Sequence, residues 1–94
     1  MGHSDGASRF QLGRIVITNN ALSSLTPEDV FGAIARHMAG DWGECAPADW
    51  TENERSLGLG LRLFSVYRSK KGVKFWVITE ADRSATTVLL PEDY

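Results

Sequence analysis

The stretch that most constrains the fold is Thr26-Pro27-Glu28-Asp29, which has the features of a helix start. A threonine hydroxyl precedes a proline at the first helical position, and two acids follow in the first turn, where the helix dipole favours negative charge. The apolar positions that follow repeat with the helical period: Val30, Phe31, Ile34, Ala35 and Met38. We therefore predict a helix from about Pro27 to Ala39, ended by Gly40.

A second, shorter helix is predicted over residues 47–57. Pro47 suits its first turn and Gly58 is suited to end it. Trp50, Asn53 and Leu57 share one face of this helix. On that face we expect Asn53 to be a buried hydrogen-bonding residue that fastens the helix to a loop.

The remaining ordered segments read as strands. Residues 14–18 form a short β-branched run, and the turn Asn19-Asn20 is predicted to follow it. Three closing segments alternate between apolar and polar residues and are separated by turns, which predicts an antiparallel meander. These three predicted strands are residues 61–69, 73–80 and 86–90.

Together these elements predict one α+β domain over residues 12–94, with residues 1–11 as a flexible leader. We expect a three- to four-stranded antiparallel sheet, with one main helix packed on it and a second short helix nearby. One helix covers only one face of a sheet. The other face therefore needs the second helix, the first strand or another molecule, and Phe64 and Trp76 are the side chains expected there. A homodimer or a protein partner is the corresponding expectation.

Composition disfavours several classes of function. The formal net charge of −2 disfavours a nucleic-acid partner without excluding it. Cys45 is the only cysteine, so no internal disulfide is possible, and a structural zinc, which takes about four ligands, is not expected. The sequence has no cofactor motif and no apolar run near the roughly 20 residues that span a bilayer. We expect no metal, no cofactor and no membrane segment, and a reducing, cytoplasmic location.

Most of the side chains that could take part in catalysis or ligand binding lie in or next to two predicted turns. The two turns are residues 40–43 and residues 80–84. His37, just before the first turn, would serve as a general acid or base if Asp41 oriented its ring. Arg83 with Ser84 would hold a phosphate or carboxylate, and Trp42 would stack on a ring of a ligand.

Each of these residues also has a purely structural explanation. Arg36 and His37, near a helix C-terminus, interact favourably with the helix dipole by roughly 0.3–1 kcal/mol each. Trp42 is equally suited to be a packing anchor whose N–H bonds a nearby acceptor. Asp41 would then bond backbone amides of its turn.

The second turn has the same two interpretations. Asp82 would satisfy turn amides, and Arg83 would pair with Glu80 or Asp41. If the two turns meet in the fold, His37 and Asp41 join Asp82 and Arg83 in one mixed-charge polar cluster. An internal network of ion pairs would produce the same pattern in the sequence.

Several strings resemble a group of short bacterial proteins carried on plasmids, integron cassettes and other mobile elements. The strings are residues 12–18, the Arg36-His37 pair with Gly40-Asp41-Trp42-Gly43, Asn53, and residues 78–91. The resemblance covers about residues 12–94. It implies a genomic context, and it carries no established activity, substrate or catalytic residue.

The predicted helix and meander are also similar in architecture to the RelE and barnase-like ribonuclease toxins, which place cations on their sheet. The candidate cations are Arg62, Arg68, Lys74 and Arg83. We therefore expect a small, non-catalytic accessory protein that binds a protein partner or itself. The alternatives are a ribonuclease-toxin-like enzyme that uses His37 and Arg83, and a small-ligand binder that uses Trp42 and Arg83.

Overall fold

A computed structural model describes residues 8–94 and has the predicted α+β architecture. The elements are β1 (Arg14–Ile17), α1 (Asn19–Ser24), α2 (Pro27–Met38), α3 (Pro47–Leu59), β2 (Leu63–Arg68), β3 (Lys74–Thr79), β4 (Ala85–Leu89) and a 3₁₀ turn (Pro91–Asp93). The strands form one sheet in the order β1-β4-β3-β2. Strands β2, β3 and β4 are antiparallel neighbours, as predicted, whereas β1 is parallel to β4. The sheet is therefore mixed.

The start of α2 follows the sequence prediction closely. The Thr26 hydroxyl accepts from the Asp29 N–H at 3.1 Å, and the Asp29 carboxylate accepts from the Thr26 N–H at 3.0 Å. This reciprocal capping box satisfies two donors that the helix itself leaves free. The helix ends at Met38, and Gly40 follows with a φ of 83°. The predicted bounds of the main helix are confirmed.

The main core lies between α2 and one face of the sheet. Its buried apolar members come from α1, α2 and the strands that they cover: Ala21, Leu25, Val30, Ala33, Tyr67, Phe75, Val77, Val88 and Leu90. Along each strand the residues of this face alternate with those of the opposite face, as the pleat requires. The predicted alternation of β2 and β3 is correct, except that Leu61 lies before β2 and is exposed.

Two predicted boundaries are wrong. Asn19-Asn20 is not a turn, because Thr18 accepts from the Ala21 N–H through its side chain and caps the short helix α1. The helix α3 does not stop at Gly58 but continues to Leu59, with Gly60 in the left-handed region at φ 68°. Gly58 is exposed and meets no neighbouring atom, so the helix passes through it at only the intrinsic cost of glycine.

The N-terminal boundary of the domain also differs from the prediction. Residues 1–7 of the predicted leader lie outside the described residues. Arg9 and Phe10, which the prediction left in the leader, pack on the domain. The Arg9 N–H donates to the Met38 carbonyl at 2.8 Å, its guanidinium forms two hydrogen bonds with Glu54, and Phe10 packs against His37. The domain therefore begins before Leu12.

Strand β2, at one end of the sheet, has its outer edge covered by a loop and by α3. The Val66 N–H donates to the Trp42 carbonyl, and the Val66 carbonyl accepts from Glu44. The Asn53 side chain bonds both the N–H and the carbonyl of Phe64, at 3.0 and 2.6 Å. Asn53 is thus buried and hydrogen-bonded as predicted, but it fastens α3 to a strand instead of a loop.

Candidate functional site

His37, the leading catalytic candidate, is completely buried between α2 and the sheet. Its Nδ1 lies 2.6 Å from the Ser65 hydroxyl on β2, and its Nε2 lies 2.8 Å from the Thr79 hydroxyl on β3. Both ring nitrogens are therefore occupied by hydroxyl groups. The hypothesis that Asp41 orients His37 as a general acid or base is wrong, since neither ring nitrogen bonds a carboxylate.

The hydrogen bonds around His37 form a chain whose direction can be worked out. The Thr86 hydroxyl donates to the Leu12 carbonyl at 2.7 Å, so it must accept from Thr79, whose hydroxyl lies 2.7 Å away. The Thr79 proton is then used, and Thr79 accepts from His37 Nε2. His37 consequently carries its proton on Nε2, and Nδ1 accepts from Ser65.

This environment opposes protonation of the ring. Burial, together with the smaller effect of the positive charge of Arg83, lowers the pKa of His37 to about 4. A buried imidazolium would lose hydration, and Ser65 would have to give up its donor role at Nδ1. His37 is therefore a neutral structural hydrogen-bonding residue at physiological pH.

Trp42 is buried beside His37 and belongs to an aromatic cluster. The cluster consists of Phe10, His37 and Trp42. The Phe10 ring stacks on Trp42 and meets His37 edge-on, with ring centroids 6.2 and 5.2 Å apart. The Trp42 Nε1–H donates to the Glu54 carboxylate at 2.9 Å. With no exposed surface, Trp42 does not stack on an external ring, and the predicted ligand-binding role gives way to the packing role.

Gly43 shows why the turn after α2 carries glycine. Its φ is 74°, and a Cβ at this position would overlap the Val66 carbonyl and contact the Tyr67 ring. Only glycine allows the loop to approach β2 this closely while adopting a left-handed conformation.

Asp41 and Arg36 form a separate exposed pair. The Arg36 guanidinium donates to both Asp41 oxygens, at 2.8 and 3.2 Å, and it also lies over the Tyr67 ring. The Gly43 N–H donates to the Asp41 carboxylate as well. These hydrogen bonds lower the pKa of Asp41, and those from Arg36 have the largest effect. The carboxylate therefore has the structural role that was the alternative to catalysis.

Arg83 holds two loops to the end of α3. Its guanidinium donates to four main-chain carbonyl oxygens, at distances from 2.6 to 3.2 Å. These carbonyls belong to Ser56, Leu61, Glu80 and Ala81. It also lies 5.8 Å from the centre of the Phe10 ring. The expected pairing of Arg83 with the side chain of Glu80 or Asp41 does not form, because the guanidinium donates to these backbone carbonyls instead.

Asp82 and Ser84 complete this turn. The Asp82 carboxylate accepts from the Ser84 N–H at 3.0 Å, which is the predicted structural role. Arg83 between them has a φ of 62°, a conformation that costs a non-glycine residue roughly 1–2 kcal/mol. The guanidinium that would have held a phosphate with Ser84 is directed to backbone carbonyls instead.

The predicted convergence is thus only partial. Arg83 and His37 contact the same Phe10 ring, and the Arg83 charge is felt at His37. Asp41 lies in its own pair with Arg36. None of the three offers a free, accessible reactive group among the described residues.

The structure reveals an apolar surface that sequence reasoning missed. Phe31 was assigned to the buried side of α2, but 72% of its surface is exposed, and Leu22 on α1 is 65% exposed. Both border a groove of about 220 Å³ next to β1, which we call the Phe31 surface. The Phe31 surface consists of Ile17, Leu22, Leu25, Pro27, Val30 and Phe31. The missed signal is the pair of adjacent apolar residues Val30 and Phe31, since a helix turns by about 100° per residue and only one of them faces the sheet.

The opposite sheet face carries Phe64 and Trp76, as predicted, and both are half-buried. Tyr94 packs edge-on against Trp76 with centroids 5.7 Å apart, and Arg62 donates to the Tyr94 hydroxyl at 2.9 Å. Together with Ile78, these side chains line a cavity of about 280 Å³. The Trp76 region is therefore a concave aromatic pocket instead of a flat patch.

Other chemical features of the described chain are limited. Burial raises the pKa of the Cys45 thiol, which donates to the Phe64 carbonyl at 3.4 Å. Among residues 8–94, no three His, Cys, Asp or Glu side chains lie together as a metal ion would need. Within the same residues, none of the helices has both the length and the apolarity needed to cross a membrane.

Comparison with known proteins gave no match, whether to a family model, a curated protein or a solved structure.

Proposed function

We propose that this chain is a small, non-catalytic interaction protein that binds a second copy of itself through the Phe31 surface. Its place on mobile DNA and in the cytoplasm is part of the same proposal, and rests on the sequence resemblance and on the single cysteine. The observation that carries the proposal is the exposure of Leu22 and Phe31 beside one apolar groove. Clustered exposed apolar side chains of this kind mark interaction sites.

The state of the polar residues supports binding over catalysis. His37 has both ring nitrogens bonded inside the core, and Arg83 donates to four carbonyls. Two further cations expected on a nucleic-acid-binding sheet are paired with carboxylates: Arg62 with Glu80 and Arg68 with Glu44. The ribonuclease alternative would require these groups to face a substrate.

The test is the solution mass of the native protein and of Phe31→Glu, measured by light scattering over a range of concentrations. We expect the native chain to have twice the monomer mass and Phe31→Glu to have the monomer mass. Leu59→Glu is the matched control, because Leu59 is also an exposed helical residue, at 59%, and lies on α3. It should remain a dimer.

Two results would contradict this proposal. A native monomer at every concentration would remove self-association. A native dimer that Phe31→Glu leaves intact, and that Trp76→Glu dissociates, would move the interface to the opposite sheet face. Circular dichroism of each variant separates loss of the interface from loss of the fold.

The pocket at Trp76 favours a second candidate function, the binding of a small planar ligand. Phe64, Trp76 and Tyr94 supply aromatic walls, and Arg62, which contacts Glu80 at 3.7 Å, would exchange that contact for an anionic group of the ligand. The cavity of about 280 Å³ is at the lower limit for ligand sites. This site replaces the one expected at Trp42 and Arg83.

Calorimetric titration with naphthalene-2-carboxylate, and with the neutral naphthalene-2-carboxamide as its matched compound, tests this second candidate. The carboxylate should bind more tightly than the amide, and Trp76→Leu should abolish binding of both. Equal binding to native protein and Trp76→Leu would exclude the pocket as the site.

A further inference from the structure

Strand β1 lies at one edge of the sheet. Its hydrogen bonds to β4 show which of its main-chain groups point toward β4 and which point away from the sheet. The Arg14 N–H donates to the Ser84 carbonyl at 2.9 Å, and the Thr18 N–H donates to the Val88 carbonyl at 3.0 Å. Because a strand alternates direction at each residue, Val16 also faces β4, whereas Ile15 and Ile17 point their N–H and C=O groups outward. Among residues 8–94, no partner bonds these outward groups.

An antiparallel second copy satisfies these groups in one register. A two-fold axis at Val16 places Ile15 opposite Ile17 of the second copy, and Ile17 opposite its Ile15. Both are hydrogen-bonded pairs, so about four main-chain bonds form, and the two Val16 residues face each other without a hydrogen bond. The two sheets then continue into one another.

In this register the side chains on the helix-covered face match. Ile15 and Ile17 lie across from Thr86 and Val88 in the sheet, which are buried beneath the helices. They are therefore on the same face as the Phe31 surface, of which Ile17 is a member. Ile15 is itself 40% exposed. Two copies would bury the four isoleucines together and bring each Phe31 surface to the contact.

The opposite face supplies charge complementarity. Arg14 is exposed there and would lie across from Thr18 of the second copy. The Thr18 hydroxyl donates to the Asp93 carboxylate at 2.6 Å, which would place that carboxylate near the Arg14 guanidinium of the other copy. Hydrogen bonds from Thr18, Asn20 and the Leu90 N–H lower the pKa of Asp93, which keeps it negative. The two-fold axis forms this Arg14–Asp93 contact twice.

We infer that the protein dimerises edge to edge, through antiparallel pairing of β1 with β1 of a second copy centred on Val16. This inference rests on the proposed self-association and specifies its geometry. The occupant is a second copy because the outward backbone pattern, the isoleucines and the Arg14–Asp93 pair are all complementary to themselves under one two-fold axis.

The test uses disulfide cross-linking in a Cys45→Ser background, which leaves one engineered cysteine per chain. In Val16→Cys the two sulfurs meet on the axis, where Cα atoms of a non-hydrogen-bonded pair lie about 4.5 Å apart, within disulfide range. Mild oxidation should convert this variant to a covalent dimer. Ile15→Cys is the register control, since its two cysteines are diagonal neighbours about 7–8 Å apart and should cross-link poorly.

A second control and the oligomeric state separate the outcomes. Thr87→Cys lies beside Val16 inside the sheet, out of reach of the second copy, and should not cross-link. If the native protein is a dimer but Val16→Cys and Ile15→Cys cross-link equally, or neither cross-links, the edge pairing is overturned. The proposed function still stands in that case, provided that Phe31→Glu dissociates the dimer. A native monomer would overturn both.

Discussion

His37 stays neutral in the folded protein because its ring is buried and its two nitrogens serve opposite roles in a hydrogen-bond chain. Ser65 donates to Nδ1, and Nε2–H donates to Thr79, which in turn donates to Thr86. Because the Leu12 carbonyl at one end of this hydrogen-bond chain can only accept, and Ser65 donates at the other end, only one arrangement of protons is consistent. The residue with the strongest apparent catalytic potential therefore holds α2 to the sheet.

The first prediction concerns stability against pH. The unfolded pKa of histidine is 6.5 and the folded pKa of His37 is about 4, so between these values the unfolded state binds more protons. The free energy of unfolding should therefore fall by about 2 kcal/mol as the pH drops from 7 to 5. Well above pH 6.5, where the residue binds no proton in either state, it contributes no pH dependence.

Urea unfolding at pH 7, 6 and 5 measures this change. His37→Gln, which keeps one acceptor and one donor group but does not titrate, should lose the pH dependence in this range. The aspartates with lowered pKa values lose their contribution only at more acidic pH, because their unfolded values lie near 4. An equally steep pH dependence in native protein and His37→Gln would refute the assignment.

A second prediction at this scale concerns Arg83. Its left-handed conformation is a strain that glycine would relieve, while its guanidinium bonds four carbonyls. We expect Arg83→Ala to destabilise the fold by about 2–3 kcal/mol, and Arg83→Gly by about 1 kcal/mol less. Thermal and urea unfolding provide the measurement. If Arg83→Gly were more stable than the native protein, the carbonyl contacts would contribute nothing.

At the scale of elements, α3 depends on its attachment to the edge of β2. Asn53 supplies both a donor and an acceptor to the backbone of Phe64, and it is buried. The helix has no side-chain N-cap bond, and its C-terminal carbonyls rely on Gly60 and Arg83. Its position is therefore set by these tertiary hydrogen bonds more than by its own helix propensity.

The third prediction follows from this attachment. Asn53→Ala should lower the free energy of unfolding by about 2–3 kcal/mol, because it leaves the Phe64 N–H without a partner and the Phe64 carbonyl with only the weak donor of the Cys45 thiol. Asn53→Asp keeps only the acceptor for the Phe64 N–H, and its negative charge faces the Phe64 carbonyl. We therefore expect its free energy of unfolding also to lie below that of the native protein. Hydrogen exchange at Phe64 and its neighbours on β2 should accelerate in both variants. Unchanged exchange there would mean that Asn53 does not hold this edge.

At the scale of the whole molecule, the two edges of the sheet differ in how far they are covered. The outer edge of β2 is covered by the loop at Gly43 and by Asn53, whereas the outer edge of β1 has no partner among residues 8–94. Proteins usually protect such edges against pairing with another chain. The unprotected edge lies beside the Phe31 surface, so the features that favour association coincide.

The fourth prediction tests the charge contact of the proposed dimer. Arg14→Gln should weaken dimerisation about fivefold, since two symmetric pairs of roughly 0.5 kcal/mol each are lost. The native dissociation constant should rise with salt, and that of Arg14→Gln should rise less. Sedimentation at 0.05 and 0.5 M salt measures both effects. Lys74→Gln, an exposed cation on β3, is the control and should behave like the native protein.

The sequence alone was sufficient for features that depend on local chemistry. The N-cap at Thr26, the stop at Gly40, the turns between the closing strands and the alternation in β2 and β3 all depend on residues close together in the chain. They predicted the α+β class, the bounds of α2 and the identity of the strands. The end of α3 was missed because Gly58 is exposed and unconstrained there.

Only the tertiary structure decided the roles of the polar residues. Whether His37 met Asp41 or two hydroxyls, and whether Arg83 met a ligand or four carbonyls, depended on how α2, α3 and the strands pack. The same held for Phe31, because helical periodicity does not tell which of two adjacent apolar residues faces the core. Contacts between distant segments require the relative placement of whole elements. That placement is set by the packing of the entire core, which no local stretch of sequence encodes.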